Sequence, residues 1–279
     1  METNWWQITI GTTADREDIL FWVLQNFGCQ GMATQSQGEE IVISAYVPTE
    51  TRSEAELQHL ALTIAQDYDI TDIKWESIPE EDWSFSWKQH WQPDPIGKNL
   101  IIYPAWIEVP AQIDRVVIRL DPGSAFGSGA HPTTRMCLEA LEEVVSPQTR
   151  SIADLGCGSG ILGIAAYRLG VKQIYSADLD PLAIKATRHN WELNQFPSED
   201  LVVIQGSLGD LPPVEGFVCN ILAEPILEMM PGFKQLGEWG ILSGILVDQV
   251  PIINTALQAH QWNVTKLMRQ EQWACLIIS

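Results

Sequence analysis

Residues 151–180 read SIADLGCGSGILGIAAYRLGVKQIYSADLD, and this stretch restricts the fold more sharply than any other. A short apolar run, Ile152 to Leu155, leads into glycines at 156, 158 and 160. Apolar residues then recur at helical spacing from Ile161 to Leu169, and Gly170 stops the pattern. A second short run, Gln173 to Ala177, ends on Asp178. The spacing predicts one βαβ unit with a bare turn at its first crossover and a carboxylate at the tip of its second strand. Three alternate glycines cost chain entropy, so they imply a main chain that must bend or be approached closely. A carboxylate at Asp178 can accept both hydroxyls of a ribose. The pattern therefore points to a cofactor that carries a nucleoside.

Two such cofactors compete. Gly158, Gly160 and Gly163 match the dinucleotide fingerprint Gly-x-Gly-x-x-Gly, with Asp178 at a suitable distance beyond it. Asp154, however, stands two residues before Gly156 at the strand end. A carboxylate there repels a pyrophosphate and suits an ammonium or a sulfonium. On that ground S-adenosylmethionine fits better than NAD. Asp154 is expected to face its methionine end directly or through water. Gly156, Gly158 and Gly160 are expected to let the backbone approach it, and Asp178 to bind the ribose. A nicotinamide-dependent oxidoreductase and a non-catalytic cofactor-binding module are the competing classes.

Upstream, Trp5 to Gly11, Asp15 to Phe27, Met32 to Gln37 and Glu40 to Val47 read as strand, helix, strand, strand. Ser53 and Glu56 form a capping-box pattern before Leu57, Leu60, Ala61, Ile64 and Ala65, and Asp72 to Ile78 closes the series as a strand. The order βαββαβ predicts a ferredoxin-like α+β domain over residues 1–79. It has no His–carboxylate cluster and no glycine-rich loop, so a binding or orienting role is expected. Trp83, Trp87 and Trp91 then make an aromatic stripe on a linker helix, expected to pack between domains. Pro93, Pro95 and Gly97 read as a hinge, which places the linker at residues 80–98. From residue 99 to 279 strands and helices alternate. That predicts an α/β Rossmann-like domain with a mostly parallel sheet covered on both faces, and the last two strands, Trp262–Met268 and Trp273–Ile278, pair as a hairpin.

Sixteen Lys and Arg against 36 Asp and Glu give a net charge of −20. Such a surface repels a phosphate backbone, so no nucleic-acid partner is expected, whereas a basic protein would be attracted. The five cysteines are odd in number and contain no Cys-x-x-Cys pair, which argues against a disulfide framework or a zinc site. The start lacks the basic residues of a signal peptide, and the apolar runs stop well short of the ~20 residues needed to span a membrane. A cytoplasmic, monomeric, membrane-free protein without a metal is expected.

The glycine loop, Asp178 and Asn220-Ile-Leu-Ala223 resemble class I methyltransferases. The segment DPGSAFGSGAHPTT, Asp121 to Thr134, is more specific, and it closely resembles the ribosomal protein L11 methyltransferase (PrmA) family. Leu242-Ser-Gly-Ile-Leu246 fits the same family, with Ser128 where Thr is common. The family's layout, a ferredoxin-like module joined by a linker helix to a methyltransferase domain, covers essentially the whole chain. The resemblance implies methyl transfer from S-adenosylmethionine to the N-terminal α-amine and lysine side chains of ribosomal protein L11, up to the trimethyl state. It implies that the N-terminal domain recognises that substrate. Carried over by motif, it implies cofactor contacts at Thr134, Gly156, Asp178 and Asn220.

Methyl transfer to an amine needs neither a covalent intermediate nor a metal, only an in-line approach and a neutral nucleophile. Asn220, at the end of a very apolar strand, can accept hydrogen bonds from an amine and aim its lone pair. It resembles the Asn-Pro-Pro-Tyr element of amino methyltransferases without the aromatic residue, which implies a more open pocket suited to successive methylations. Its plain alternative is a helix cap. Thr133 and Thr134 are candidate caps of the helix after Pro132, with one hydroxyl on the cofactor. His131 is a turn residue in the plain reading and a base in the sharper one. Phe126, amid Gly123, Gly127 and Gly129, is read as an apolar lid over the cofactor or as ordinary packing.

Overall fold

A computed structural model describes residues 4–13, 16–29, 31–37, 40–68, 70, 72–79, 92–121 and 129–279. The tryptophan stripe (Trp83, Trp87, Trp91), Ser128 and the candidate lid Phe126 lie outside the described residues. The chain divides into two compact units, Met1–Gln92 and Pro93–Ser279.

In the first unit, β1 (Asn4–Thr13), α1 (Glu17–Phe27), β2 (Gly31–Gln37), β3 (Glu40–Pro48), α2 (Glu54–Tyr68) and β4 (Ile73–Pro79) follow one another. The four strands form an antiparallel sheet in the order β2-β3-β1-β4. Alternate residues of β1, Ile8 and Ile10, are buried, as a half-covered sheet requires. They meet Leu20 and Leu24 of α1 and Leu57, Leu60 and Ile64 of α2 in one core. The capping box opens α2: Glu56 Oε2 accepts from Ser53 N at 2.8 Å, and Ser53 Oγ accepts from Glu56 N at 3.4 Å.

The second unit begins with a small sheet of β5 (Asp94–Ile96), β6 (Leu100–Pro104) and β7 (Val116–Leu120), in that order. The expected hinge at Pro93, Pro95 and Gly97 is therefore an edge strand and its turn. Pro95 pairs across from Ile101, and an edge strand tolerates a residue with no N–H to donate. Three backbone amides after this turn, at Lys98, Asn99 and Leu100, donate to the carboxylate of Glu142 at 2.6–2.9 Å.

Helices α3 (Pro132–Val144), α4 (Ile161–Arg168) and α5 (Pro181–Leu193) follow, interleaved with β8 (Ser151–Leu155) and β9 (Gln173–Asp178). Then come β10 (Leu201–Gln205), β11 (Gly216–Asn220), α6 (Ala223–Met229), α7 (Phe233–Leu236), β12 (Trp239–Leu246), α8 (Val250–Ala259), β13 (Val264–Gln270) and β14 (Trp273–Ile278). The helix expected over 225–236 is broken as its Pro231-Gly232 pair suggested, by a 3-10 turn at Met230–Gly232. The large sheet has the order β10-β9-β8-β11-β12-β14-β13. Strands β8 to β12 run parallel, and β14 enters antiparallel between β12 and β13.

Side chains along each central strand alternate between two cores. Ile152, Ile174, Val218, Ile241 and Ile277 join the core that includes α3 and α4. Ala153, Leu155, Phe217, Cys219 and Leu242 join the one that includes α6, α7 and α8. Both faces are thus covered, and the carboxyl ends of β8, β9 and β11 are where a ligand site is built in such a sheet. Among the described residues no helix is long and apolar enough to cross a membrane. Nor do those residues contain a group of three or more His, Cys, Asp or Glu that could hold a metal ion.

Candidate active site

Strand β8 has neighbours on both sides, β9 and β11, so whatever follows it emerges at the middle of the sheet. The turn after Leu155 is made by Gly156, Gly158 and Gly160, with φ of +70°, +52° and +80°. All three lie in the left-handed region, where a Cβ is penalised. Gly156 is also spatially constrained: a Cβ there would sit 2.4 Å from Ile221 Cγ2. The amides of Gly156 and Cys157 both donate to Ala177 O, which ties the loop to the end of β9. Gly163 serves another purpose. Its Cβ would meet Ile174 Cγ2 at 2.9 Å, so its absence lets α4 approach the sheet.

That approach explains Asp154. Its Oδ2 accepts the Gly163 N–H at 3.0 Å. Its side chain shares the face of Ile152, is 0% exposed, and leaves Oδ1 without a hydrogen-bond partner. Burial pushes the carboxyl up to about 7; the Gly163 N–H opposes this, and the negative charge of Asp178 adds to it. Direct contact with a ligand is closed to a carboxylate this deep. The expected route through a bridging water remains, because Oδ1 is a buried acceptor in need of a donor.

Asp178 is half-buried at the carboxyl end of β9. Each of its oxygens is fixed by one backbone amide: Oδ2 accepts from Gly158 N and Oδ1 from Asp180 N, both at 3.0 Å. A carboxylate oxygen has a second lone pair, so both oxygens keep capacity for a diol. Asp180 itself caps α5, accepting the Leu182 amide at 2.8 Å ahead of Pro181 at the helix start.

Asn220 ends β11 at 9% exposure. Its Nδ2 donates to Thr134 Oγ1 at 3.3 Å, joining the ends of β11 and α3 across 86 residues of chain. In this orientation Oδ1 has no hydrogen-bond partner. The cap reading of Asn220 is set aside by position, since the N-cap of α6 is Leu222. Ala223, where the related element carries its aromatic residue, is 3% exposed and packed in the core.

The helix-cap expectation is corrected at α3. The capping side chain is that of His131, whose Nδ1 accepts the Thr133 amide at 3.3 Å and lies 2.7 Å from Thr133 Oγ1. The threonines do not cap: Thr134 Oγ1 is turned to Asn220. The His131 ring also meets Trp273 edge-on at 5.2 Å. The plain reading of His131 as a turn residue is the one its contacts support.

Asp154, Gly156, Gly158, Gly160, Asp178, Thr134 and Asn220 thus come from four elements and the glycine loop, around the carboxyl edge of the sheet. Three further residues shape the site. Ile221 lies against Gly156. Gly244 has φ +81°, and a Cβ there would lie 2.1 Å from Ile221 O. Ser243 Oγ donates to Thr133 O at 3.3 Å, bracing the start of α3 against β12. A lone glycine inside the apolar run Leu242–Leu246 was the available signal, since it marks a bulge or a close backbone approach. The β12–β14 register does shift between Leu242 and Ile245.

A parallel α/β sheet with an antiparallel strand inserted near one edge, a left-handed glycine loop and an acidic residue at the next strand end define an S-adenosylmethionine-dependent methyltransferase of class I. The residues fit that cofactor: bare backbone where a Cβ would intrude, and at Asp178 a carboxylate preset by two backbone amides. Residues 4–279 match the family model described as ribosomal protein L11 methyltransferase (PrmA). Relatives named ribosomal protein L11 methyltransferase include one from Cyanothece sp., 42% identical over 99% of this chain and 98% of its own length. Another, from Thermosynechococcus vestitus, is 42% identical over 99% of this chain and 97% of its own. The crystal structure of a ribosomal protein L11 methylase from Lactobacillus delbrueckii subsp. bulgaricus superposes with a TM-score of 0.63 at 33% identity, covering 68% of this chain and 98% of that one. The chain belongs to the ribosomal protein L11 methyltransferase family. The oxidoreductase reading is thereby dropped.

Proposed function

We propose that this chain transfers methyl groups from S-adenosylmethionine to amino groups of ribosomal protein L11, its N-terminal α-amine and lysine side chains, up to the trimethyl state. The names of its relatives support the substrate. The observation that carries the chemistry is the unpartnered Oδ1 of Asn220, held by the Nδ2–Thr134 bond at the rim of the glycine loop.

When bound, the cofactor supplies a methyl group on a sulfonium centre, open to in-line displacement. Asp178 and the glycine loop seat the nucleoside end. Asp154 supplies negative charge from beneath the loop, through water. Asn220 Oδ1 accepts an N–H of the incoming amine and so turns its lone pair toward the donor. A lysine amine near pKa ~10.4 is almost wholly charged at neutral pH, and loss of water on docking favours its neutral form. Asn220 takes no proton.

The second unit is read as the methyltransferase domain, and the first as a ferredoxin-like module that recognises the substrate. Its βαββαβ element order and its antiparallel sheet support this. The excess of acidic residues, 36 against 16 basic, suits a basic protein substrate rather than a nucleic acid. A cytoplasmic monomer is the setting proposed. Incubation with labelled S-adenosylmethionine and total ribosomal proteins, followed by mass spectrometry, tests the assignment. Mass gain in methyl-sized steps is expected on L11; labelling confined to other proteins would refute the substrate.

A further inference from the structure

Helix α5 lies beside the glycine loop, and two asparagines, Asn190 in its last turn and Asn194 at its C-cap, are fully committed. Asn190 is 0% exposed. Its Oδ1 accepts from Asp121 N at 2.8 Å, and its Nδ2 donates to Asp121 O at 3.0 Å and to Ser159 O at 2.9 Å. One turn on, Asn194 repeats the first half of this pattern. Its Oδ1 accepts from Arg119 N at 3.0 Å and its Nδ2 donates to Arg119 O at 2.7 Å. A side-chain amide presents the same donor and acceptor as a peptide group. Residues four apart on a helix rise by about 6 Å, and alternate residues on a strand are spaced by about 6.6 Å. The two asparagines therefore pair with the free edge of β7 and its extension as a neighbouring strand would. Beyond that shared pattern they part: Asn190 alone reaches Ser159 in the glycine loop, whereas Asn194 Nδ2 donates to Asn190 O at 2.8 Å and its Oδ1 accepts from Arg168 at 3.4 Å.

Thr187, three residues before Asn190, works on the same loop. Its Oγ1 donates to Gly158 O at 3.0 Å and lies 3.2 Å from Cys157 Sγ. A Cβ on Gly160 would lie 2.9 Å from Thr187 Cγ2, so loop and helix are in contact. The carbonyls of Gly158 and Ser159 are thus held from behind by two buried side chains of one helix. A loop with three left-handed glycines samples many conformations when unrestrained. Each restraint removed adds an ordering cost that binding must then meet.

We propose that Asn190, together with Thr187, is a positioning residue of the cofactor loop, and that Asn194 only secures β7. The inference rests on reading the glycine loop as the seat of S-adenosylmethionine. Full-length wild type and the variants N190A, T187V and N194A are titrated calorimetrically with S-adenosylhomocysteine, and their melting temperatures are measured. Thr187→Val keeps volume and packing, so it reports even where Asn190→Ala does not fold. The expected result is a cofactor-product Kd raised about tenfold in N190A and severalfold in T187V. N194A should lose melting temperature to a similar degree as N190A while keeping the wild-type Kd. Amide exchange in the unliganded protein should accelerate at Gly158–Gly163 in N190A and T187V alone. A Kd that tracks melting temperature across all three variants, or wild-type affinity in both N190A and T187V, overturns the proposal. Absence of binding by wild type overturns instead the cofactor reading of the loop.

Discussion

Asp154 makes a quantitative test of the donor site. Its carboxyl is 0% exposed and pushed up to about 7, chiefly by burial. A cationic ligand above it favours the ionised form, so binding should release a proton wherever Asp154 is protonated in the free enzyme. With a value near 7, roughly 90% is ionised at pH 8 and roughly 10% at pH 6. Affinity for S-adenosylmethionine, whose sulfonium makes it the cationic ligand, should then fall about tenfold from pH 8 to pH 6. The α-amino group of the ligand titrates too, so the comparison must be with Asp154→Asn, which leaves that titration unchanged and removes the carboxylate. The variant should bind more weakly at pH 8 and lack the extra slope. Calorimetry in two buffers of different ionisation enthalpy would count the protons released. Equal slopes in wild type and variant would refute the reasoning. The same shift fixes the sign of a stability effect. The folded value lies above the unfolded 3.8, so the free protein binds more protons than the unfolded chain between about 4 and 7. The contribution of Asp154 is fully present below about 4 and is lost as pH rises through 7, and Asp154→Asn should therefore gain in relative melting temperature toward pH 8.

Asn220→Ala should keep the fold and lose about 100-fold in turnover, because the amine is no longer aimed; a near-normal rate would remove Asn220 from the mechanism. Gly244→Ala must place a Cβ 2.1 Å from Ile221 O at φ +81°. It should cost at least about 2 kcal/mol in denaturant unfolding and depress turnover by shifting the Asn220–Ile221 turn; unchanged stability would contradict the close approach. His131→Ala should cost about 1 kcal/mol as a lost helix cap, with turnover per folded molecule retained; a collapse of turnover at full stability would reinstate His131 as a participant.

What the sequence made legible was local. The glycine loop, the strand before it and the carboxylate after it lie within 30 residues, and each carries its own signal. The Ser53–Glu56 box was legible for the same reason. Non-local facts were hidden. Asp154 stands at a strand end in sequence, yet it is buried because β8 is flanked on both sides and α4 closes over it through Gly163. Asn220 and Thr134 are 86 positions apart, and only the sheet order brings them together. Pro95 suggested a hinge because proline punctuates loops more often than it sits on sheet edges. Asn190 and Asn194 carry no signal of their own, since nothing in a helical pattern reveals that a strand edge lies beside it.

The position of β14 has a consequence for how the chain reaches this state. It is inserted between β12 and β13, both of which precede it. Until residues 273–278 are in place, β12 and β13 each have a bare edge, and neither can find its final neighbour in the other. Completion of this side of the sheet is therefore a late step in assembly, waiting on a strand that every earlier contact of the glycine loop can do without. A chain lacking Trp273–Ile278 would present one open edge on β12 and two on β13, next to a nearly finished cofactor site, a state suited to strand exchange with other chains.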